Sequence, residues 1–230
     1  MIPVLIIWYL KKNGKQLKKS CLKTLQHKPG IIRFLVLFTA CVVIGKVVFG
    51  QTRHYQYQVK KGGNAIGEIN ITHTVAGPVN SLLLVSDIRY RMLFLFTAKS
   101  KEEVVFTNGV MTYSSIYREQ NGDKKIQTKT RKGISSYIIE RDNDKKNELN
   151  IPAIYFHTIS LYITEPAGYR AVYIDKFQQL VSIKNISAHH YKVVFPDGNY
   201  NEYFYQDGVY KTVKVSQSFF NAEIELKKIF

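Results

Sequence analysis

The stretch "KVVFPDGNYNEYFYQDGVYKTVKV", Lys192 to Val215, decides the fold. Apolar and polar residues alternate in it, as in β-strands, where successive side chains point to opposite faces of a sheet. The dipeptides Asp197-Gly198 and Asp207-Gly208 interrupt this alternation. Asp followed by Gly is typical of tight hairpin turns, because both residues tolerate a positive φ. The stretch therefore predicts three strands joined by two turns.

The same pattern extends outward over most of the chain after Gln51, with further turn dipeptides at Asn108-Gly109 and Asn121-Gly122. Large residues recur at one parity and predict a buried face; they are Tyr55, Tyr57, Val59, Ile69, Ile71, Leu82, Leu84, Ile88, Tyr90, Met92 and Phe94. "IYFHTISLYI", Ile154–Ile163, predicts a short helix. The expected fold class is all-β, a strongly curved antiparallel sheet or a β-barrel-like body with one short helix.

The stretch "VKKGGNAIGEINITHT", Val59 to Thr74, holds three glycines between two apolar runs. A phosphate-binding loop needs a Lys and a Ser or Thr after its last glycine, followed by a helix. Here Gly67 is followed by Glu68 and a strand pattern. The stretch therefore predicts a hairpin, with Gly67 at a bulge or at a close approach of two backbones.

The basic residues are concentrated at the amino-terminal end. Residues 1–50 contain nine of the 33 basic residues and no acidic residue, so residues 51–230 hold 24 basic residues against 17 acidic ones. The formal net charge of +16 thus belongs largely to the first 50 residues, and a nucleic-acid-binding function is not expected of the remainder.

Residues 1–50 are interpreted as a basic leader, and residues 51–230 as a single all-β domain. Phe34–Gly45, "FLVLFTACVVIG", is uncharged and apolar over twelve residues, a length typical of a signal-peptide core rather than of a membrane span. Cleavage is predicted between Gly50 and Gln51, which gives an exported protein of the periplasm or cell envelope. A single-pass inner-membrane anchor through residues 31–49 is the alternative. Membrane contact is expected only through this leader.

Both cysteines, Cys21 and Cys41, lie in the leader. The domain that follows can therefore form no disulfide and no thiolate metal site. Its histidines and carboxylates show no metal-ligand spacing, so no metal and no cofactor are predicted.

The candidate catalytic residues are His73, His157 and Glu165. His73 has the parity of the buried face, and Glu165 follows the helical pattern. Other polar stretches predict structure rather than chemistry: Glu102-Glu103 a solvated turn, and Lys124–Gly133 an edge strand protected by lysines. If His189 and His190 both lie in a strand, they point to opposite faces and cannot easily share one metal ion.

The candidate ligand-binding residues are Tyr55, Tyr57, Ile69, Ile71 and Tyr90, which share one parity. A sheet that curls around such a row either fills its interior with these side chains or leaves an apolar pocket. An apolar small molecule or another envelope component is therefore the expected partner.

Four stretches resemble a family of exported bacterial proteins known as domain of unknown function 6134; they are "YQYQVKKGGNAIGEINIT", "VVFTNGVMTYSS", "LYITEPAG" and "VVFPDGNYNEYFYQDG". A second family, domain of unknown function 3108, looks related and implies a periplasmic β-barrel-like fold. The resemblance brings no catalytic residues. Two function hypotheses stay open: a non-enzymatic envelope protein whose curved sheet binds an apolar or amphipathic ligand or a partner segment, and a hydrolase acting on an envelope glycan or lipid.

Overall fold

The computed structural model describes residues 50–91, 95–142, 145–217 and 220–230. The predictions about the leader, including its apolar signal or anchor helix, lie outside these residues. Within them the protein is all-β, and its strands fall into two runs separated by residues 150–170. In the part that the structure describes, no helix has the length and apolarity of a membrane span.

The first run is a series of eight strands, which are β1 (Gln51–Lys61), β2 (Asn64–Ala76), β3 (Val79–Arg91), β4 (Leu95–Thr107), β5 (Val110–Gln120), β6 (Asp123–Lys132), β7 (Tyr137–Arg141) and β8 (Lys145–Leu149). The second run has six strands, which are β9 (Ala171–Ile174), β10 (Gln179–Ser187), β11 (His190–Val194), β12 (Tyr200–Gln206), β13 (Val209–Gln217) and β14 (Phe220–Ile229). Strands β11, β12 and β13 confirm the prediction of three strands in the Lys192–Val215 stretch.

All fourteen strands of the described residues join one sheet in the order β8-β7-β6-β5-β4-β3-β2-β1-β14-β13-β12-β11-β10-β9. Every neighbouring pair is antiparallel, and every pair except β1 with β14 is consecutive in the chain. The first and last strands therefore meet in the middle of the sheet, where His54 and Phe230 exchange two backbone hydrogen bonds of 3.2 and 2.9 Å. The sheet is not closed, because β8 and β9 are its two edges.

Three of the four predicted hairpin turns have the expected backbone conformation, whereas at Asp197-Gly198 only the glycine has a positive φ. Asn108, Asn121 and Asp207 have φ of 52°, 51° and 55°, and the glycine after each also has a positive φ. Two consecutive positive φ angles define the type I′ turn, whose twist matches that of the flanking strands.

The structure confirms both features predicted at Gly67, a bulge and a close approach of two backbones. The register between β1 and β2 shifts next to Val59 and Lys60, so that Ile66 is the extra residue of a bulge. A Cβ at Gly67 would lie 2.4 Å from the carbonyl oxygen of Asp87 on β3. Only glycine allows the two backbones to approach this closely at an unstrained distance.

One sequence prediction about a strand is wrong, and the condition of another, that His189 and His190 share a strand, is not met. The Lys124–Gly133 stretch is not an edge strand, because β6 lies between β5 and β7. Lys129 and Arg131 lie on its outer face, while Thr128 and Thr130 point inward and are 1% and 0% exposed. His189 and His190 do not share a strand either, since His189 has a φ of 59° in the turn before β11.

The chain itself fills the inner face of the sheet. The helix predicted over Ile154–Ile163 is a 3₁₀ helix limited to Thr158–Tyr162. β3, β4, β9 and β13 all contact this helix although they lie apart in the strand order, so the sheet curves around it. Ile159 and Leu161 are 0% exposed and belong to the main hydrophobic core.

The segment Ile154–Ile163, called the inner segment below, also bridges the two runs of strands. The carbonyl oxygen of Ile154 accepts a 2.8 Å hydrogen bond from Met111 N on β5, and that of Phe156 accepts a 2.9 Å bond from Tyr173 N on β9. The edge strand β9 therefore has its outer backbone groups partly covered by the inner segment.

Candidate functional site

The clearest convergence of polar side chains surrounds Asp175, which follows β9 directly. One carboxylate oxygen accepts hydrogen bonds from Ser114 Oγ at 2.6 Å and Thr130 Oγ1 at 3.3 Å. The other oxygen lies 2.7 Å from His157 Nε2. Thr130 Oγ1 also lies 3.0 Å from the hydroxyl of Tyr173. This network joins β5, β6, β9 and the inner segment.

The position of the ring proton of His157 follows from its partners. His157 is the N-cap of the 3₁₀ helix, and its Nδ1 accepts a 3.2 Å hydrogen bond from the backbone N–H of Ile159. Because Nδ1 acts as an acceptor, the proton of the neutral ring lies on Nε2 and is donated to Asp175. The arrangement resembles the oriented histidine–carboxylate pair of a general base.

Burial separates this pair from solvent. His157 is 1% exposed and Asp175 is 2% exposed, whereas a general base must come within hydrogen-bond distance of its substrate. The network is thus arranged to satisfy buried polar groups and to hold the inner segment against β5, β6 and β9.

A second polar pair, Glu102 with Arg118, corrects the prediction of a solvated turn at Glu102-Glu103. Glu102 lies in the middle of β4, is 7% exposed and accepts two hydrogen bonds from Arg118, at 3.0 and 2.7 Å. Burial acts to lower the pKa of Arg118, but the Glu102 carboxylate outweighs it and holds that pKa above its ordinary value. Burial, with a smaller contribution from Glu102, also raises the pKa of Tyr203 to about 12. The sequence carried no signal for this pair, because its two members lie on different strands.

Glu165 belongs to a third group, near the turns that precede β11 and β13. Its Oε1 accepts a 2.9 Å hydrogen bond from the Tyr191 hydroxyl and lies 3.1 Å from His189 Nδ1. The side chain of His189 is 65% exposed, while that of Glu165 is 15% exposed. Burial and the bond to Glu165 raise the pKa of Tyr191. An exposed histidine oriented by a carboxylate is chemically able to accept a proton from a bound molecule.

His73 lies at the inward parity of β2 but near its end, where it is half-buried. Its Nε2 lies 2.9 Å from Asn80 Oδ1 on β3. Each of the three candidate catalytic residues, His73, His157 and Glu165, has partners of its own, so the structure does not bring them together. In the described ranges, no group of three or more His, Cys, Asp or Glu side chains could hold a metal ion.

The candidate ligand-binding residues all face inward, but the chain's own side chains cover them. Tyr57 is 0% exposed; its hydroxyl donates a 2.8 Å hydrogen bond to the carbonyl oxygen of Tyr162, and its ring stacks on Tyr210 at 4.8 Å. Exposure is 5%, 5% and 1% for Tyr55, Ile69 and Ile71. Tyr90 is partly buried and packs against the same core.

Two concavities lie over the second run of strands, and the second of them also extends to the β1–β2 turn. One, of about 480 Å³, is lined by Phe204, Tyr205, Gln206, Lys211, Thr212 and Lys214. The other, of about 390 Å³, is lined by Lys60, Gly62, Gly63, Tyr200, Glu202, Lys214, Val215, Ser216, Asn221, Ala222 and Glu223. The two share Lys214 and are together called the outer groove below. The sequence signal for it was the crowding of aromatic residues between Tyr200 and Tyr210.

Comparison with solved structures matches the chain to a protein from Brucella abortus described as a beta-barrel-like protein of domain of unknown function DUF1849. The two are 10% identical with a TM-score of 0.47, over 77% of this chain and 96% of the other. No curated protein matches the sequence.

The family model described as Domain of unknown function (DUF6134) matches residues 57–227. The match extends from β1 to β14 and includes the Asp175 network, the Glu165 group and the outer groove. The relation to domain of unknown function 3108 stays a prediction. This chain belongs to the family Domain of unknown function (DUF6134).

Proposed function

We propose that this protein is an exported, non-enzymatic protein of the cell envelope that binds another envelope component through its outer groove. Export is supported by the leader, in which basic residues precede a twelve-residue apolar core. The binding role is supported by one observation above all, the filling of the inner face by the inner segment. Since Tyr57, His157 and Asp175 are each at most 2% exposed, the surfaces open to a partner are outside.

The outer groove has the features of a recognition surface. Most of its lining residues lie on paired strands, which hold a binding surface in a fixed shape. Aromatic side chains, which are enriched at binding sites because they contribute large contact areas, stand there beside lysines and hydrogen-bonding side chains.

Photo-crosslinking in cells tests this proposal. A diazirine amino acid replaces Gln206, which is exposed on β12, and in a matched variant it replaces Lys101, which is exposed on the outer face of β4. Adducts that form at position 206 and not at position 101 are expected, in the envelope fraction. Equal labelling at both positions, or recovery of the protein in the cytoplasmic fraction, would contradict the proposal.

An apolar small molecule on the inner face is a less favoured form of the same binding role. It requires the inner segment to leave the core, because that segment now occupies the space. Mass spectrometry of the protein purified from its own cells and then denatured tests this: a stoichiometric apolar molecule released on denaturation would support an inner-face ligand.

A hydrolase acting on an envelope glycan or lipid is the second candidate, and the Glu165–His189 pair favours it. The exposed His189 ring is the one histidine of the described residues that combines a carboxylate partner with more than half of its side chain in solvent. Release of reducing ends or fatty acids from isolated envelopes is the assay. Activity that His189→Gln abolishes, without loss of thermal stability, would favour this function over the binding role.

A further inference from the structure

The two ends of the sheet differ in their exposed side chains. Because neighbouring strands are antiparallel, the odd-numbered strands begin and the even-numbered strands end at one common end, called the leader end below. It contains the start of β1, the β6–β7 loop, the entry to the inner segment after β8 and the end of β14. Among the described residues, five large hydrophobic side chains are more than half exposed. One, Leu95, lies at the opposite end, and the leader end holds the other four: Ile134, Tyr155, Ile186 and Phe230.

A hydrogen bond and a ring contact bring three segments of the leader end together. Lys132, the last residue of β6, donates a 2.9 Å hydrogen bond from Nζ to the carbonyl oxygen of Pro152. Four residues further along the chain, the ring of Phe156 stacks on that of Tyr169 at 4.3 Å. An exposed apolar patch built from several segments is typical of an interaction surface. The exposed side chains of these segments are Ile134, Tyr155 and Tyr169.

The basic side chains of the leader end are available to a partner. Those that lie within two residues of this end, and outside every ion pair of the described residues, are Arg53, Lys132, Arg170, Lys211, Lys227 and Lys228. At the corner formed by β1 and β14, the Nζ of Lys228 lies 4.2 Å from the centre of the Phe230 ring. Basic and apolar groups are therefore exposed side by side.

Acidic side chains are fewer at this end. Glu148 accepts a hydrogen bond from Ser136 Oγ, and Glu165 accepts one from the hydroxyl of Tyr191. In the described hairpin turns of the leader end the acidic residue is Asp207. The turns of the opposite end contain several exposed or partly exposed carboxylates, which are Asp123, Asp142 and Asp197. The leader end thus combines an excess of positive charge with exposed apolar side chains.

We propose that the leader end of the domain rests on the surface of an anionic phospholipid bilayer, an inference that goes beyond the proposed function by assigning a second surface and its partner. Ile134 and Phe230 enter the boundary between headgroups and acyl chains. Tyr155 and Tyr169 lie at the level of the headgroups, where an aromatic ring with a polar tip is favoured. The lysine and arginine side chains attract the lipid phosphates. Membrane contact, expected from the sequence only through the leader, extends to the domain itself.

The connection to the leader favours a bilayer over a protein partner at this end. Gly50, which joins the leader to β1, lies against Val75 and Ala76 at the end of β2. A leader inserted in a bilayer, before cleavage or as a retained anchor, therefore tethers the domain from this end. Tethering raises the effective concentration of the bilayer, so that a contact of a few side chains suffices for association.

The experiment measures the depth of a fluorophore in vesicles, because the leader alone can hold the full chain on a membrane. Cys21→Ser and Cys41→Ser remove the leader thiols, and the environment-sensitive label NBD is attached at Ser135→Cys in the β6–β7 loop. A matched protein carries the label at Asp123→Cys, an exposed position at the opposite end. The vesicles consist of phosphatidylglycerol with phosphatidylethanolamine, or of phosphatidylcholine, each with and without a doxyl-labelled lipid that quenches NBD.

Two further variants carry the label at Ser135→Cys. The test variant combines Ile134→Ser with Tyr155→Ser. The control combines Leu95→Ser with Tyr117→Ser, which removes two side chains that are 53% and 40% exposed outside the leader end. Thermal unfolding of both variants shows whether the fold is kept.

In anionic vesicles the doxyl lipid should quench the label at position 135 and leave the label at position 123 bright. The quenching should weaken as salt rises above about 0.15 M, and it should be smaller in phosphatidylcholine. The test variant should lose most of the quenching at unchanged thermal stability, and the control should keep it. Absence of quenching at position 135, equal quenching at both positions or in both kinds of vesicle, or an equal loss in the control would overturn the inference. A blue shift of the label that grows with protein concentration without vesicles would assign this end to a second copy of the chain and overturn it too.

Discussion

Replacing Asp175 by alanine should destabilise the protein by about 4 kcal/mol, the cost of leaving two buried donors without their acceptor. The value follows from the donors that lose their acceptor, His157 Nε2 at 2.7 Å, Ser114 Oγ at 2.6 Å and Thr130 Oγ1 at 3.3 Å. A buried donor left without a partner costs about 1–3 kcal/mol. Thr130 keeps the Tyr173 hydroxyl as a partner, so the other two donors carry most of the loss.

The assay is urea unfolding followed by circular dichroism, with thermal unfolding as a second measurement. A loss of this size should lower the Tm by about 10 °C, at about 2–4 °C per kcal/mol for a domain of this length. Asp197→Ala is the matched control, because it breaks an exposed 2.8 Å ion pair with Lys176, which contributes at most about 1 kcal/mol. If Asp175→Ala costs no more than Asp197→Ala, the network does not hold the inner segment in place and the reasoning is refuted.

Four further outcomes are expected. Gly67→Ala should lower the free energy of unfolding by about 2 kcal/mol or more, since the new Cβ meets backbone of β3; a urea midpoint equal to that of the parent protein would contradict the close approach. Burial lowers the pKa of His73 below its ordinary value of 6.5, although the hydrogen bond of its ring opposes this shift. The folded state therefore binds a proton less readily than the unfolded state, and stability falls as the pH drops below about 6.5. In His73→Gln the urea midpoint should decline less between pH 7 and pH 5. Arg118→Met, which leaves Glu102 without its cation, should cost about 2 kcal/mol, and adding Glu102→Leu should restore part of that loss, whereas additive losses would exclude the pairing. Amino-terminal sequencing of the exported protein should begin at Gln51, and a start inside the leader would refute the cleavage prediction.

The strands and their turns could be predicted because both are encoded locally. Asn108-Gly109 and Asp207-Gly208 specify the positive φ angles of a hairpin turn whatever lies around them. The inward parity of Tyr55 and Tyr57 follows from the two-residue period of the strand. Gly67 was informative for a similar reason, since a glycine inside a strand indicates a bulge or a close backbone contact.

The polar interior could not be predicted, because its members meet only in the folded sheet. Glu102 lies in "AKSKEEVV", a stretch as polar as a turn, and its cation comes from another strand. Asp175 was overlooked since its donors lie on β5, β6 and the inner segment. Whether the curved sheet is filled or hollow depends on how the inner segment packs against its inner face. The spacing of residues along the strands carries no information about this packing.

The pairing of β1 with β14 has a kinetic consequence. The contacts between the first and last strands join the most distant parts of the domain, and contacts of long sequence separation slow folding because the loop must be closed before they form. Until the final ten residues are available, the sheet has a gap at its centre and two extra unpaired edges. A circularly permuted chain that joins Phe230 to Gln51 and opens between β8 and β9 would turn this late step into a local hairpin, and it should fold faster with the same native contacts.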